Sequence, residues 1–439
     1  MPDIMLILAC LSQSVDGTSV RRLGRIVEAL LAMPGRVTLL GLSRWTERGG
    51  SYRTVQRFFN TTLAWGQIHW LIIRHHLMEA EEVLLLGADE VIVTKAGKHT
   101  YGLDRFFASL YGKTVPGLGF LSLSLLRVKR RCAYPLRLEP VLKATVSEPP
   151  AAVKPHAKGQ RGRPKGSRNR NRRDVTLSPY LGFVQGLIRQ VLALIGRELK
   201  VVYLVFDGAF GHNDALQMVR QTGLHLISKL RHEAAWYFPY EGLYAGRGPR
   251  RQYGAKLDYR QIPARYRQAS SRDNHIQTTI YQMPMWHKRF ADRLNIVVVV
   301  KTNLRTGASA HVVLFSSDPT RSSERLIDYY RLRFQIEFTF RDAKPYWGLE
   351  DFMVVNSTPV YNSANLAMLM VNLSQILIRA CRAACPECGI QDLKARFRGR
   401  KYVLEALTWL PQMPEPIIIN QLLEHVTDLG RIHQPEKAA

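Results

Sequence analysis

Three acidic residues stand where packing alone explains a carboxylate poorly. Asp207 closes the apolar run 201–206 (VVYLVF), and Asp89 interrupts another, 83–93 (VLLLGADEVIV). A charge in a buried strand is costly unless it is paired or metal-bound, although Asp207-Gly208 also suits a plain turn. Glu337 lies in the helical stretch 327–344 (IDYYRLRFQIEFTFRDAK), with Tyr330, Arg333 and Lys344 at helical spacing around it. At 3.6 residues per turn these four side chains share one stripe. That stripe reads equally as an Arg333–Glu337 intrahelical ion pair and as an acid holding a metal while cations hold a phosphodiester. Three such acids could hold two divalent ions, one activating water and the other stabilising a leaving 3′ oxygen. Magnesium suits hard oxygen donors of this kind, and manganese can substitute for it.

The charge balance points the same way. The 439 residues carry 62 Lys and Arg against 35 Asp and Glu, a formal +27. Such an excess attracts polyanions, nucleic acid foremost, and a scaffold without a nucleic-acid role fits it poorly. No membrane role is expected: the apolar stretch 4–9 is too short to span a bilayer and lacks a basic leader. The expected location is cytoplasmic, in a prokaryote, with the nucleoid. Five cysteines do not make a disulfide framework. Cys381, Cys385 and Cys388 (CxxxCxxC) invite a zinc reading, but no fourth ligand lies close in sequence.

The elements that must position the acids follow from periodicity. Residues 1–78 read as an all-α domain, with a short helix, a Gly-bearing turn and a helix over 52–61 capped by Ser51. On that last helix Arg53, Gln56, Arg57 and Asn60 share a face opposite Tyr52, Val55 and Phe59, suiting phosphates and base edges. A solvated basic helix is the plainer alternative. Residues 79–231 alternate buried strands and helices, predicting an α/β domain on a mixed sheet; strands are expected over 83–93, 119–128, 136–146, 201–206 and 224–229. Within it lies a basic loop, 150–176. Its stretch 154–173 (KPHAKGQRGRPKGSRNRNRR) holds nine basic residues and no acid, a composition that cannot build a core and predicts mobility. Arg161 and Arg163 there sit in an RGRP core like that of an AT-hook, which inserts arginines into a narrow minor groove. A nonspecific phosphate-binding tether through Lys165, Arg168 and Arg170 is the equal alternative. Residues 232–320 read as a β-rich insertion, 321–388 as helical completion of the core, and 389–439 as a C-terminal helical region.

The run Tyr330-x2-Arg333-x3-Glu337-x6-Lys344 resembles the YREK signature of the insertion-sequence-four group of DDE transposases, with every spacing in place. Residues 87–98 (GADEVIVTKAGK) are similar to that group's first-aspartate region, though Val91 replaces a frequent Thr and leaves Glu90 beside Asp89 as a second choice. Phe206-Asp207-Gly208 with ISKLR at 227–231 is similar to the second, and residues 36–58 and GRPKGSRNRN also resemble the group. The resemblance implies an RNase H-like core, a mixed five-stranded sheet with helices, carrying a β-rich insertion before Glu337. It implies that Asp89, Asp207 and Glu337 bind two magnesium ions. The implied activity is cut-and-paste cleavage at transposon ends followed by strand transfer into target DNA. The partners implied are double-stranded DNA and a second copy in a synaptic complex. Relatives that form a DNA hairpin stack an insertion-region aromatic on a flipped base; Trp286 is the first choice here and Trp236 the second. A catalytically silent DNA-binding protein and a structure-specific nuclease of the same fold are the rival functions.

Overall fold

The computed structural model describes residues 3–46, 50–79, 83–108, 112–143, 171–196, 198–244, 246, 248–383 and 385–433. The basic-loop residues Arg161, Arg163, Lys165, Arg168 and Arg170 lie outside the described residues.

The chain opens with helices α1 (Ile4–Leu8), α2 (Gly17–Ala32), α3 (Leu39–Trp45), α4 (Tyr52–Asn60) and α5 (Trp65–His76). Side-chain oxygens of Asp16, Thr38 and Ser51 start α2, α3 and α4 by accepting the backbone N–H three residues on, which satisfies a donor that has no intrahelical partner. These helices share their apolar core with the rest of the molecule: Leu8, Leu30 and Phe58 belong to one cluster with Leu366 and Leu373. Buried Asn362 locks the join. It accepts from Trp65 Nε1 (2.7 Å) and donates to the carbonyls of Phe59 (2.7 Å) and Thr61 (2.8 Å).

The α/β part is built on β1 (Leu84–Thr94), β2 (Asp104–Ala108), β3 (Lys113–Arg127), β4 (Cys132–Pro140), β5 (Tyr203–Val205) and β6 (His225–Leu230), with α6 (Pro179–Ile195) and α7 (Asn213–Arg220) between the later strands. The central order is β4-β3-β1-β5-β6; the first two pairings are antiparallel and the last two parallel. This mixed sheet with its helices fits an RNase H-like core. β2 is a strand the apolar pattern does not announce, because DRFFA begins with two charges; it pairs with the extension of β3 over 113–117.

Beyond these five central strands, the β-rich insertion continues the same sheet. Residues 232–320 supply β7 (Trp236–Pro239), β8 (Tyr253–Lys256), β9 (Arg267–Asp273), β10 (Ile276–His287), β11 (Leu294–Asn303) and β12 (Ser309–Ser316). β12 pairs antiparallel with β6, and β11 and β10 follow, giving a twelve-stranded sheet. The physical reason is the edge: β6 alone would present unpaired backbone groups, and β12 covers them.

Helices α8 (Ser323–Leu332), α9 (Phe334–Trp347), α10 (Ser357–Arg382), α11 (Ile390–Leu407) and α12 (Pro416–Asp428) complete the molecule. α10 is long and apolar enough to cross a membrane, but 72% of its apolar window is buried inside the protein, where it packs on β4, α5 and α9. Its hydrophobicity is that of a core helix. Cys381 and Cys388 are joined in a disulfide with Cα atoms 6.2 Å apart, and Cys385 is buried beside them.

Candidate active site

Alternation along β1 decides which way its acids face. Leu85, Val91 and Val93 belong to the apolar core under α9, while Leu86 and Ala88 belong to the core under α6. Asp89 therefore shares the α9 side and Glu90 the α6 side. On the neighbouring parallel strand, Tyr203 and Val205 lie on the α9 side and Leu204 and Phe206 on the other. Asp207, one step beyond, returns to the side of Asp89. Gly87 pairs with Val205, so Asp207, two residues past the end of β5, lies near the level of Asp89 on the neighbouring strand.

Glu337 reaches this face from α9. A Cβ on Gly87 would lie 2.7 Å from Leu126 Cδ1 and 2.9 Å from Ile336 Cδ1, so the missing side chain is what lets α9 lie close on β1. At its other end α9 stops at Gly348, in the left-handed conformation with φ 76°, where a Cβ would collide with Val37 at 2.3 Å.

Arg333 joins the acids. One guanidinium nitrogen bonds Asp89 and another bonds Glu337 Oε1 at 2.8 Å, so the intrahelical pair is real and extends to a strand 244 residues away. The single helix expected over 327–344 is broken here: α8 ends at Leu332 and α9 begins at Phe334. Arg333 keeps helical angles, φ −51° and ψ −37°, but the amides of Arg333 and Ile336 bond three residues back, to Tyr330 (3.2 Å) and Arg333 (2.9 Å), a tightened turn. Tyr330 stays beside Arg333 at the mouth of the site. Lys344 does not: it bonds the Ile92 carbonyl (3.2 Å) and pairs with Glu350 at 2.7 Å.

The electrostatics are those of an under-neutralised acid cluster. Burial pushes the Asp89 carboxyl up to about 6; Arg333 opposes this, while Asp207 and Glu337 add to it. Glu90 is also raised by burial, with the Tyr180 hydroxyl donating to it and Asp207 adding repulsion. Asp207 Oδ1 accepts from the Ala209 amide at 3.1 Å, and the Asp207 carbonyl accepts from the Ser228 hydroxyl at 2.5 Å. One guanidinium among these carboxylates leaves negative charge uncompensated, and hard oxygen donors are the ligand type divalent cations prefer. The donor set therefore fits such ions, although among the described residues no three His, Cys, Asp or Glu side chains stand at ligating separation.

A cleft of about 2150 Å³ opens from Asp207, Tyr330 and Arg333. Its walls carry Arg172, Lys229, Arg231, Lys288 and Arg289, with Tyr237 and His287 between them. Sequence reasoning missed these cations as a group, since they come from three separate segments; the signals were the basic stretch that contains Arg172 and ISKLR beside the second aspartate. Trp286 is half-buried on β10 with its ring 6.2 Å from Tyr253, and alternation turns it from the face on which His287 lines the cleft. Trp236, the second choice for base stacking, is corrected outright. It is fully buried, stacked 5.9 Å from Phe290. Arg53, Gln56, Arg57 and Asn60 form an exposed row on α4, far along the chain from the acids, while Val55, Phe58 and Phe59 face inward and Tyr52 is exposed.

The sequence matches the DDE superfamily endonuclease family over residues 10–293 of 439, a span that contains Asp89 and Asp207 and ends before Glu337. Comparison with curated proteins finds no match. The chain belongs to the DDE superfamily endonucleases, enzymes that act on DNA and generally use divalent metals.

Proposed function

From that membership, we propose that this chain is a cut-and-paste DNA transposase of the insertion-sequence-four type, with Asp89, Asp207 and Glu337 as its catalytic acids. What supports the reading is that the three lie toward one side of the sheet: Asp89 on β1, Asp207 two residues past the neighbouring parallel strand, and Glu337 tied to Asp89 through Arg333. Asp89, Asp207 and Glu337 would hold two magnesium ions. Bound there, the ions supply an activated oxygen nucleophile and stabilise the leaving 3′ oxygen. The chain's own part is positioning. Tyr330 and Arg333 face the cleft beside Asp207, and Lys229, Arg231, Lys288 and Arg289 offer cations for the phosphates of a strand laid along it.

End recognition falls to the exposed α4 row of Arg53, Gln56, Arg57 and Asn60, with the basic loop 150–176 adding sequence-independent affinity. Paired ends call for two copies of the chain. A hairpin intermediate would recruit Trp286, which must first leave its packing against Tyr253.

The test is an end-cleavage assay with magnesium on the DNA flanking the gene. Cleavage at defined ends by the wild type, lost in Glu337→Ala with DNA binding retained, is the expected result. Binding without cleavage in magnesium and in manganese would favour the silent DNA-binding protein. Cleavage at junctions anywhere, without preference for the ends, would favour the nuclease.

A further inference from the structure

The cysteine cluster at the end of α10 plays no part in the acid site. Cys381, Cys385 and Cys388 are all buried, and they form a small cluster of their own, apart from the two apolar cores. A buried thiol is ordinarily one more small apolar side chain within a core; three packed on one another are not. Local backbone brings them together. The Cys385 amide bonds the Cys381 carbonyl (3.1 Å), prolonging the last turn of α10, and the Cys388 amide bonds the Cys385 carbonyl (3.0 Å), closing a turn over Pro386-Glu387. No fourth donor lies close in sequence, but the fold brings one. The Cys385 thiol donates to the carbonyl of His433 at 3.7 Å. The His433 ring donates from Nδ1 to Asp392 at 2.9 Å, while Nε2 is turned toward Glu387 (4.0 Å), inside the Cys385–Cys388 turn. An imidazole fixed at one nitrogen by a carboxylate, with the other turned toward two thiols, is arranged as metal-binding histidines are.

Three sulfur donors with one imidazole select zinc, which takes four such ligands in a tetrahedron. We propose that Cys381, Cys385, Cys388 and His433 form a structural zinc site that ties the end of α10 to the start of α11 and to residues 431–433. With Cys381 and Cys388 bonded to each other, the donors do not stand at ligating separation among the described residues; the site is that of the reduced chain. A dithiol reductant breaks the Cys381–Cys388 bond, leaving two thiols, and is itself oxidised to a disulfide. Zinc then displaces one proton from each of the three thiols into solvent. Three thiolates, a neutral imidazole and the ion carry one net negative charge. Arg396 Nη1, 3.4 Å from Cys381 Sγ, is placed to offset it. The proposal goes beyond the reading of the acid site and does not depend on it.

The test is the zinc content of the full chain, reduced with a dithiol, loaded with Zn2+ and dialysed into metal-free buffer. The expected wild type retains about one zinc per chain. Cobalt in its place should give the visible absorption of thiolate ligands in a tetrahedral field, which the carboxylates around Asp89 cannot produce. Cys385→Ser should lose the retained zinc, and His433→Ala should bind it at least about tenfold more weakly. The His433 side chain is 39% exposed, so its variant remains a folded test if the cysteine variant does not fold. Cys10→Ser and Glu337→Ala should hold zinc as the wild type does, so a failed catalytic assignment leaves this result untouched. A reduced, folded wild type that retains no zinc overturns the proposal, and so does wild-type retention in His433→Ala.

Discussion

Asp89 and Asp392 are both aspartates withdrawn from solvent, their side chains 17% and 1% exposed, and their surroundings differ in kind. Asp392, near the start of α11, is saturated with donors. The amides of Gly389 (2.9 Å), Ile432 (2.6 Å) and His433 (3.0 Å) and the His433 ring (2.9 Å) all reach it. Burial alone would raise its carboxyl, but the His433 ring and these amides hold it down at about 2. Asp89 has one guanidinium and two neighbouring carboxylates, and stands at about 6. The difference separates an acid that fastens structure from one kept short of positive charge. Burial by itself distinguishes nothing; the inventory of partners does.

The sharpest way to break this contrast is to remove an acid from each kind of place. Asp207→Ala or Glu337→Ala should lower cleavage by at least about a thousandfold, as removal of a catalytic group does. DNA affinity and Tm should stay near wild type, because neither change empties a core. Equal cleavage by both variants would remove these residues from the chemistry. Gly87→Ala comes next. Its methyl would sit within 3 Å of Ile336 and Leu126, costing about 1–3 kcal/mol as overpacking. If α9 moves off β1 to relieve it, cleavage should fall about a hundredfold through misplacement of Glu337. Cleavage that persists at the wild-type rate would mean that the approach of α9 to β1 does not set the site.

How much of this was legible in the sequence depends on the range of the interaction. β1, β5 and β6 announce themselves as apolar runs, and α4 by its capping serine and its period. The stripe around Glu337 was visible, and so was its pair with Arg333, because four residues along a helix is a local distance. The bond from Arg333 to Asp89 was not, since nothing local reports a partner 244 residues away. The break at Arg333 was hidden because apolar periodicity runs straight through it. The junction of β6 with β12, Ile227 opposite Ser316, was hidden for the same reason as the Asp89 bond, so the sequence does not show that the insertion extends the sheet. Trp236 and Trp286 could not be ranked from sequence, because an aromatic in a β-rich segment looks the same whether it points into the core or out of it.

Acid titration should expose the two aspartates with opposite signs. Asp392 is held below its ordinary value of 3.8, so its stabilisation is complete above that value and is lost as pH falls through about 2. Asp89 is raised, from 3.8 to about 6. The native state takes up its proton first, and its contribution to stability diminishes as pH rises from 3.8 through 6. Asp392→Ala should therefore cost about 1–3 kcal/mol or somewhat more at neutral pH, the penalty for stranding buried donors, and flatten the acid limb of the stability curve. Cleavage per folded molecule should be unchanged. In Asp89→Asn stability should instead become less sensitive to pH between 4 and 6. Finding the same sign for both, by urea titration from about pH 2 to 6, would erase the distinction.

The smallest effect is expected on the far side of β1. Glu90 adjoins Asp89 in sequence, yet its one side-chain partner among the described residues is the Tyr180 hydroxyl, on α6. Tyr180→Phe removes that donor from a carboxylate that is itself exposed, so Glu90 should be raised further and stability should fall by no more than about 1 kcal/mol, the net worth of one such hydrogen bond. Cleavage should change by less than about threefold at neutral pH, because the face of the sheet that carries Asp89, Asp207 and Glu337 is untouched. Glu90→Gln, which keeps an acceptor for the tyrosine, should be milder still. A loss in either variant as large as that of Asp207→Ala would place Glu90 among the acids that do the chemistry. The partner inventory would then have to count a lone tyrosine as too little to satisfy a carboxylate, just as it counts Arg333 too little for Asp89.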